Sequence, residues 1–271
     1  MSFMRQGQNA RFLAVLGGAF AFALVGCAAD SEPEVEVATE TIMGDCGSVH
    51  GADICTWGET TGDDVTAFGA TIPMDVITNA PEDLPMVWPP LQAAKLNLPD
   101  AVAAATGFHV LTVFWEPHGH PPGPYLTPHF DFHFYSMTDE ARMAIDCVDT
   151  SKPSAIPAGY TLPDVNIPEI GDLSGLCVPT MGMHSLLASE LESTEIFEKT
   201  MVVGYWNGES IFIEPMITQA SLMGRQNFAL EIPEIPGKPA GARYPTQFRA
   251  DYDSTGNAYR FVFSNFPAAT P

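Results

Sequence analysis

An eight-residue block at 128–135, Pro-His-Phe-Asp-Phe-His-Phe-Tyr, alternates polar and aromatic side chains. Successive residues of a β-strand point to opposite faces of the sheet. A strand over this block therefore places His129, Asp131 and His133 on one face and three phenylalanines on the other. The pattern predicts one aromatic core face and one face of coordinating side chains, and any fold of this chain has to accommodate both.

A second histidine pair, His118 and His120, precedes this block across a proline-rich loop. We expect strands over 110–120 and 129–135 to form an antiparallel hairpin. If the loop closes symmetrically, three pairs of metal-capable side chains share one face of the hairpin, namely His120 with His129, His118 with Asp131, and Glu116 with His133.

Strand geometry limits which of these side chains can share an ion. Residues i and i+2 lie about 7 Å apart and residues i and i+4 about 13 Å apart, whereas imidazole–metal bonds are about 2.1 Å long. His129 and His133 are therefore not expected to bind the same ion. His118 and His120 form a feasible ligand set with either Asp131 or His133, and a remaining carboxylate could orient a ligand imidazole.

Two distant residues could complete the site: His184 follows a turn-rich segment, and Glu214 ends a predicted hairpin strand just before Pro215. The metal is expected to be a divalent transition ion, with zinc first and iron or copper open. A buried polar network without metal is the competing interpretation. The candidate ligands are His118, His120, His129, Asp131, His133, His184 and Glu214.

The N-terminus has the pattern of an exported lipoprotein. Residues 1–26 combine Arg5 and Arg11 with an uncharged apolar stretch over 12–25, which indicates a signal peptide. The segment runs into Leu-Val-Gly-Cys27, which resembles a bacterial lipobox, so Cys27 is the expected lipidation site and membrane anchor. Alanine rather than aspartate follows the cysteine, which favours the outer membrane. An ordinary secretory signal is the alternative.

Residues 27–41 are polar and acidic, and such a segment cannot bury enough apolar surface to fold, so we expect an acidic tether. Residues 42–271 contain no internal repeat and are expected to form a single β-rich domain. The formal net charge of −22 disfavours binding to nucleic acid. Homo-oligomerisation stays open.

Four cysteines remain once Cys27 is set aside, and an even number in an exported chain indicates two disulfides. Of the three pairings, Cys46–Cys55 with Cys147–Cys177 is favoured because short loops are the easiest to close. Zinc binding by these cysteines is disfavoured because the sequence has no Cys-x-x-Cys pair.

Composition and turn signals predict a β-dominated α+β fold, in which antiparallel hairpins form a sandwich or an open barrel with a few short helices. Asn207-Gly208 separates two apolar runs and is the strongest short signal for a hairpin. A second hairpin is expected around 253–257, and short helices are expected at 99–106 and 138–145.

Residues 110–222 resemble an uncharacterised family of bacterial exported proteins with a domain of unknown function. The resemblance rests on four blocks, which are Pro-His-Gly-His-Pro-Pro at 117–122, the block at 128–135, Met-Gly-Met-His at 181–184 and Phe-Ile-Glu-Pro-Met-Ile at 212–217. It implies an exported β-rich domain and no established reaction. Ser185 and Leu186 follow the third block, where similar proteins carry Trp and then an acid.

Two classes of function are compatible with this sequence. In the first, a lipid-anchored cell-envelope domain with a histidine-centred metal site is a metal-dependent hydrolase or lyase. In the second, it is a non-catalytic binding or assembly module whose histidine hairpin is structural and whose exposed Tyr205 and Trp206 contact a partner. The chain has no Gly-x-Ser-x-Gly, His-Glu-x-x-His or phosphate-loop motif, which disfavours serine-hydrolase, zincin and nucleotide chemistry. Whether it is an enzyme, and on which substrate, stays open.

Overall fold

The structure, a computed structural model, describes residues 38–85 and 87–267. The predicted signal peptide, the lipidation site at Cys27 and the tether up to residue 37 lie outside the described residues. These described residues belong to one compact unit. The first strand begins at Thr39, so the last three residues assigned to the tether are part of the sheet.

Fifteen strands and five short α-helices form the described part of the chain. The strands are β1 Thr39–Val49, β2 Ala52–Thr61, β3 Asp64–Pro73, β4 Gln92–Asn97, β5 Val110–Glu116, β6 His129–Tyr135, β7 Tyr160–Thr161, β8 Val165–Ile167, β9 Gly171–Leu173, β10 Met183–Leu187, β11 Lys199–Trp206, β12 Glu209–Thr218, β13 Phe228–Glu231, β14 Gln247–Asp253 and β15 Ala258–Ser264. The helices are α1 Met74–Thr78, α2 Asp100–Thr106, α3 Asp139–Met143, α4 Ala188–Leu191 and α5 Gln219–Met223.

The strands form two large antiparallel sheets and a two-stranded ribbon, β8-β9. The first sheet has the order β1-β2-β3-β15-β14-β13, and the second has the order β4-β5-β6-β12-β11-β10-β7. Neither sheet closes into a barrel within residues 38–267. The fold therefore confirms the prediction of a β-dominated chain with antiparallel sheets and few short helices.

The aromatic face of β6 packs against the first sheet and forms the centre of the core. Phe130, Phe132 and Phe134 are completely buried. The ring centroid of Phe132 lies 5.0 Å from that of Phe261, and the centroid of Phe134 lies 4.7 Å from that of Phe263. The prediction of an aromatic core face from the alternation at 128–135 is thus confirmed, since these phenylalanines join the two sheets of the sandwich.

The predicted register between β5 and β6 is wrong by four residues. Glu116 pairs with His129, and Thr112 pairs with His133. The strand ends at Glu116 because proline at 117 cannot donate to a ladder and Gly119, at a φ of +66°, turns the chain. His118 and His120 consequently lie in the loop and not on the strand.

The Asn207-Gly208 hairpin forms as predicted between β11 and β12, with φ values of +50° and +81° at its two turn residues. Strand β12 does not end before Pro215 but continues to Thr218. The β12–β6 ladder skips Glu214 and Pro215, which accommodates a residue without an N–H group. Tyr205, expected to be exposed, is buried.

The long connection from β6 to β11 covers the outer face of the second sheet, away from the sandwich core. Its apolar side chains, among them Leu176 and Phe197, form a second buried cluster with Leu186 and Phe212 of the sheet and with Tyr125 of the β5–β6 loop. The polar face of β6 points into this layer. It is therefore enclosed between the sheet and the covering connection.

Two disulfides are present, Cys46–Cys55 and Cys147–Cys177, in the favoured pairing. They indicate an extracytoplasmic protein, because disulfides persist in oxidising compartments. The second disulfide fixes both ends of a 30-residue segment of the covering connection. Among the described residues, no helix has the length and apolarity required to cross a membrane.

Candidate metal centre

Six of the seven candidate ligands come together in two groups on the outer face of the second sheet. The outer triad consists of His120, His129 and Asp131, and the inner triad consists of His133, His184 and Glu214. Within each triad the coordinating atoms lie within 4.8 Å of one another. The seventh candidate, His118, is exposed in the loop and belongs to neither triad.

The outer triad centres on the carboxylate of Asp131. His129 Nε2 lies 3.2 Å from Asp131 Oδ1, and His120 Nε2 lies 3.7 Å from Asp131 Oδ2. His129 is fully buried, whereas the side chain of His120 is 28% exposed. This triad is therefore the one closer to solvent.

The inner triad is almost completely enclosed. His133 Nε2 lies 3.4 Å from both Glu214 Oε2 and His184 Nε2. The side chains of His133 and Glu214 are 1% and 2% exposed, and His184 is 9% exposed. Two imidazole nitrogens and one carboxylate oxygen converge here in an almost fully buried position.

Strand pairing explains how the inner triad assembles. Ile213 pairs with Phe134 and Met216 with Asp131, so this register brings Glu214 beside His133. His184 lies on β10, three places away from β6 in the sheet, or about 14 Å at the usual strand spacing. Its ring has to cross β11 to reach Glu214 on β12, and β12 as well to reach His133 on β6.

Gly204 creates the space for this crossing. It pairs with His184 on one side and with Phe212 on the other. A Cβ atom at Gly204 would overlap the ring of Phe212, whose centroid lies 5.1 Å from that of His184 and 4.8 Å from that of His133. The absent side chain at 204 therefore lets Phe212 support both imidazoles.

Backbone carbonyls fix the orientation of three of the four imidazoles. His120 Nδ1 lies 2.9 Å from the oxygen of Pro121, and His129 Nδ1 lies 2.7 Å from that of Thr127. His184 Nδ1 lies 3.0 Å from the oxygen of Leu176. A carbonyl only accepts, so each Nδ1 carries the proton and, in the neutral ring, Nε2 carries the lone pair.

In the neutral rings the Nε2 lone pairs of His120 and His129 face the carboxylate of Asp131, which when ionised is also an acceptor, and His184 Nε2 faces His133 Nε2. His129 Nε2, Asp131 Oδ1 and Glu214 Oε2 are buried and have no hydrogen-bond partner among the described residues. Buried polar atoms are rarely left unpaired. A cation between the nitrogens and the carboxylates would satisfy all of them, and an imidazole oriented through its second nitrogen is typical of metal ligands. Both triads therefore fit a divalent metal ion.

The two triads differ in how their charges balance. Burial lowers the pKa of His120, but the nearby, negatively charged carboxylate of Asp131 outweighs this effect and raises the pKa to about 9. Although burial opposes it, the charges of His129 and His120 keep the pKa of Asp131 well below its usual range. In the metal-free protein a protonated His120 can therefore neutralise the carboxylate of the outer triad, and a metal ion would have to displace the Nε2 proton in order to bind.

No such balance exists in the inner triad. Burial lowers the pKa of His184 to about 4 and that of His133 well below its usual value. Burial, followed by the charge of Asp131, raises the pKa of Glu214 well above its usual value. Both imidazoles are therefore neutral near pH 7, and an ionised Glu214 has no protonated histidine to balance its charge.

Both triads line one small cavity of about 40 Å³, which is room for a few water molecules. Five of the six ligands reach it, the exception being His129. The remaining walls are largely apolar and include Trp88, Ile167, Val178, Met181, Leu186, Val202 and Met216. Because the cavity is small and its walls are largely apolar, electrostatic interactions inside it are strong.

A separate cleft of about 320 Å³ lies on the other side of the 117–121 loop and is lined in part by Trp115, Glu116 and His118. Glu116 pairs with His129 across the β5–β6 ladder. Burial, followed by the charge of Asp131, raises the pKa of Glu116 to about 7. This carboxylate lies between the cleft and the outer triad.

Sequence reasoning identified the ligand types but missed the residues that orient them. The carbonyl groups of Pro121, Thr127 and Leu176 carry no side-chain signal. Gly204, placed in a strand that otherwise carries large side chains, was the one available signal.

No family model, curated protein or solved structure matches the chain. The resemblance to exported bacterial proteins stays a prediction. The geometry of the two triads is consequently the basis for assigning a function.

Proposed function

We propose that this protein is a cell-envelope metalloprotein, anchored through a lipid on Cys27, whose inner triad binds a catalytic divalent ion, with zinc as the first candidate. One observation carries the proposal: two neutral imidazoles and one carboxylate converge at 3.4 Å in a buried position where Glu214 Oε2 has no hydrogen-bond partner. Two histidines and one carboxylate are a ligand set of catalytic zinc and leave a coordination position open.

The ion would act as a Lewis acid and lower the pKa of a bound water molecule, which supports hydrolase or lyase chemistry. The chain's own residues hold the ligands in place and exclude bulk water. Leu176 fixes the tautomer of His184, Phe212 packs against both histidines, and the covering connection closes the cavity. The small cavity favours small substrates over polymers.

Elemental analysis of the full chain tests this proposal. The protein is extracted in detergent, purified without added metal, and its zinc, iron and copper contents are measured. We expect at least one ion per chain, and the Glu214→Gln variant should lose the ion of the inner triad. The matched control is His118→Ala, which removes an exposed histidine of the same region and should keep the wild-type metal content.

Catalysis is tested on the same preparations with a very small ester, methyl formate, whose hydrolysis is followed by the acid released. Turnover should disappear on chelation, return with zinc, and be absent from Glu214→Gln. A chain that contains no metal after incubation with each of the three ions would refute the metal site. Bound metal without turnover of the ester would refute the hydrolytic role and leave a structural ion.

A further inference from the structure

The outer triad repeats the ligand set of the inner triad. His120 and His129 each present Nε2 towards one carboxylate, that of Asp131, and each donates Nδ1–H to a backbone carbonyl. All three coordinating atoms lie within 4.8 Å of one another. This is again two imidazoles and one carboxylate with oriented lone pairs.

The contacts inside the outer triad are not those of a satisfied hydrogen-bond network. His129 Nε2 and Asp131 Oδ1 approach to 3.2 Å, yet both atoms are buried and neither has a hydrogen-bond partner. His129 is fully buried, and Asp131 is 5% exposed. Two unpartnered atoms that face each other in a buried position indicate a ligand between them.

The two triads are too far apart to share one ion and close enough to share one cavity. Asp131 and His133 are residues i and i+2 on the same face of β6, about 7 Å apart. His120 and Asp131 line the same cavity as the three residues of the inner triad. Metal bonds of about 2 Å cannot span both sets of ligands.

We infer that the outer triad binds a second divalent metal ion, so that the cavity holds two separately coordinated ions with the carboxylate of Asp131 between them. This inference rests on the proposed function of the inner triad. The outer ion exchanges more readily, because the side chain of His120 is 28% exposed and belongs to a loop, whereas the ligands of the inner triad belong to strands.

The test is a zinc titration of the metal-free full chain, followed by calorimetry and by elemental analysis after removal of free metal. We expect two ions per wild-type chain, with one weaker and faster-exchanging. His129→Gln and, independently, His120→Ala should keep only the ion of the inner triad. Glu214→Gln should keep only the ion of the outer triad. The control variant His118→Ala should bind two. Far-UV circular dichroism of each metal-free variant verifies that it is folded.

The outcomes separate this inference from the proposed function. One ion in the wild type that Glu214→Gln loses and His129→Gln keeps would overturn the second site and leave the first intact. A single ion lost from either variant would show one shared site and would also overturn the inference. No ion in any sample would overturn both. If His129→Gln fails to fold, His120→Ala, which alters a loop residue, decides the question.

Discussion

The metal-free protein should lose stability in mild acid because of His184. Burial lowers the pKa of this side chain to about 4, whereas a histidine in the unfolded chain titrates near 6.5. Between these two values the unfolded chain binds a proton that the folded chain does not. The contribution of the neutral, buried His184 to the free energy of unfolding is therefore fully present above pH 6.5 and is lost as the pH falls towards 4.

The size of the effect follows from the difference between the two pKa values. One pKa unit corresponds to about 1.4 kcal/mol, so a difference of about 2.5 units corresponds to about 3.5 kcal/mol in full and to about 3 kcal/mol at pH 4, where the folded-state histidine is half protonated. His133, whose pKa is also lowered by burial, adds to the loss in the same direction. A loss of this size is a large fraction of the 5–15 kcal/mol that is typical of folded domains.

Urea unfolding of the metal-free full chain between pH 8 and pH 4 measures this effect. The comparison is with His184→Gln, in which the side-chain amide can still donate to the carbonyl of Leu176 but cannot titrate. The free energy of unfolding of the wild type relative to the variant should fall by about 3 kcal/mol over this range. His118→Gln is the matched control for the substitution in an exposed position. A difference between wild type and His184→Gln that does not change with pH would refute the reasoning.

Two further predictions concern the support of the inner triad. Gly204→Ala forces the ring of Phe212 away from the histidines, so we expect a loss of about 1–3 kcal/mol in urea unfolding and a weaker zinc affinity by calorimetry; wild-type affinity would contradict this role of the glycine. Replacement of Cys147 and Cys177 by serine opens a 30-residue loop and should cost about 3–4 kcal/mol of unfolding free energy, and an unchanged urea midpoint would contradict this estimate.

Local patterns in the sequence were sufficient to predict much of the sheet structure. The alternation at 128–135 identified both faces of β6, because a strand has a side-chain period of two. Asn207-Gly208 identified its hairpin because both residues need a positive φ. The short loops between cysteines gave the pairs Cys46–Cys55 and Cys147–Cys177. Each of these signals depends on residues that are close in the sequence.

The assembly of the two triads could not be predicted in this way. The assumption of a symmetric loop gave the wrong register for β5. In a proline-rich segment the end of the strand at Glu116 and the turn at Gly119 cannot be located from spacing alone. The partnership of His133 with His184 depends on the order of four strands and on the space above Gly204. Such contacts are set by tertiary packing, which leaves no periodic pattern in the sequence comparable to the two-residue alternation of a strand.

The Cys147–Cys177 disulfide connects the redox state of the chain to the geometry of the inner triad. Leu176, whose carbonyl fixes the tautomer of His184, is the immediate neighbour of Cys177. The disulfide restrains the backbone next to this carbonyl, and its reduction removes that restraint. If the inner triad binds a metal ion as proposed, a reduced chain should therefore bind the ion more weakly than the oxidised chain.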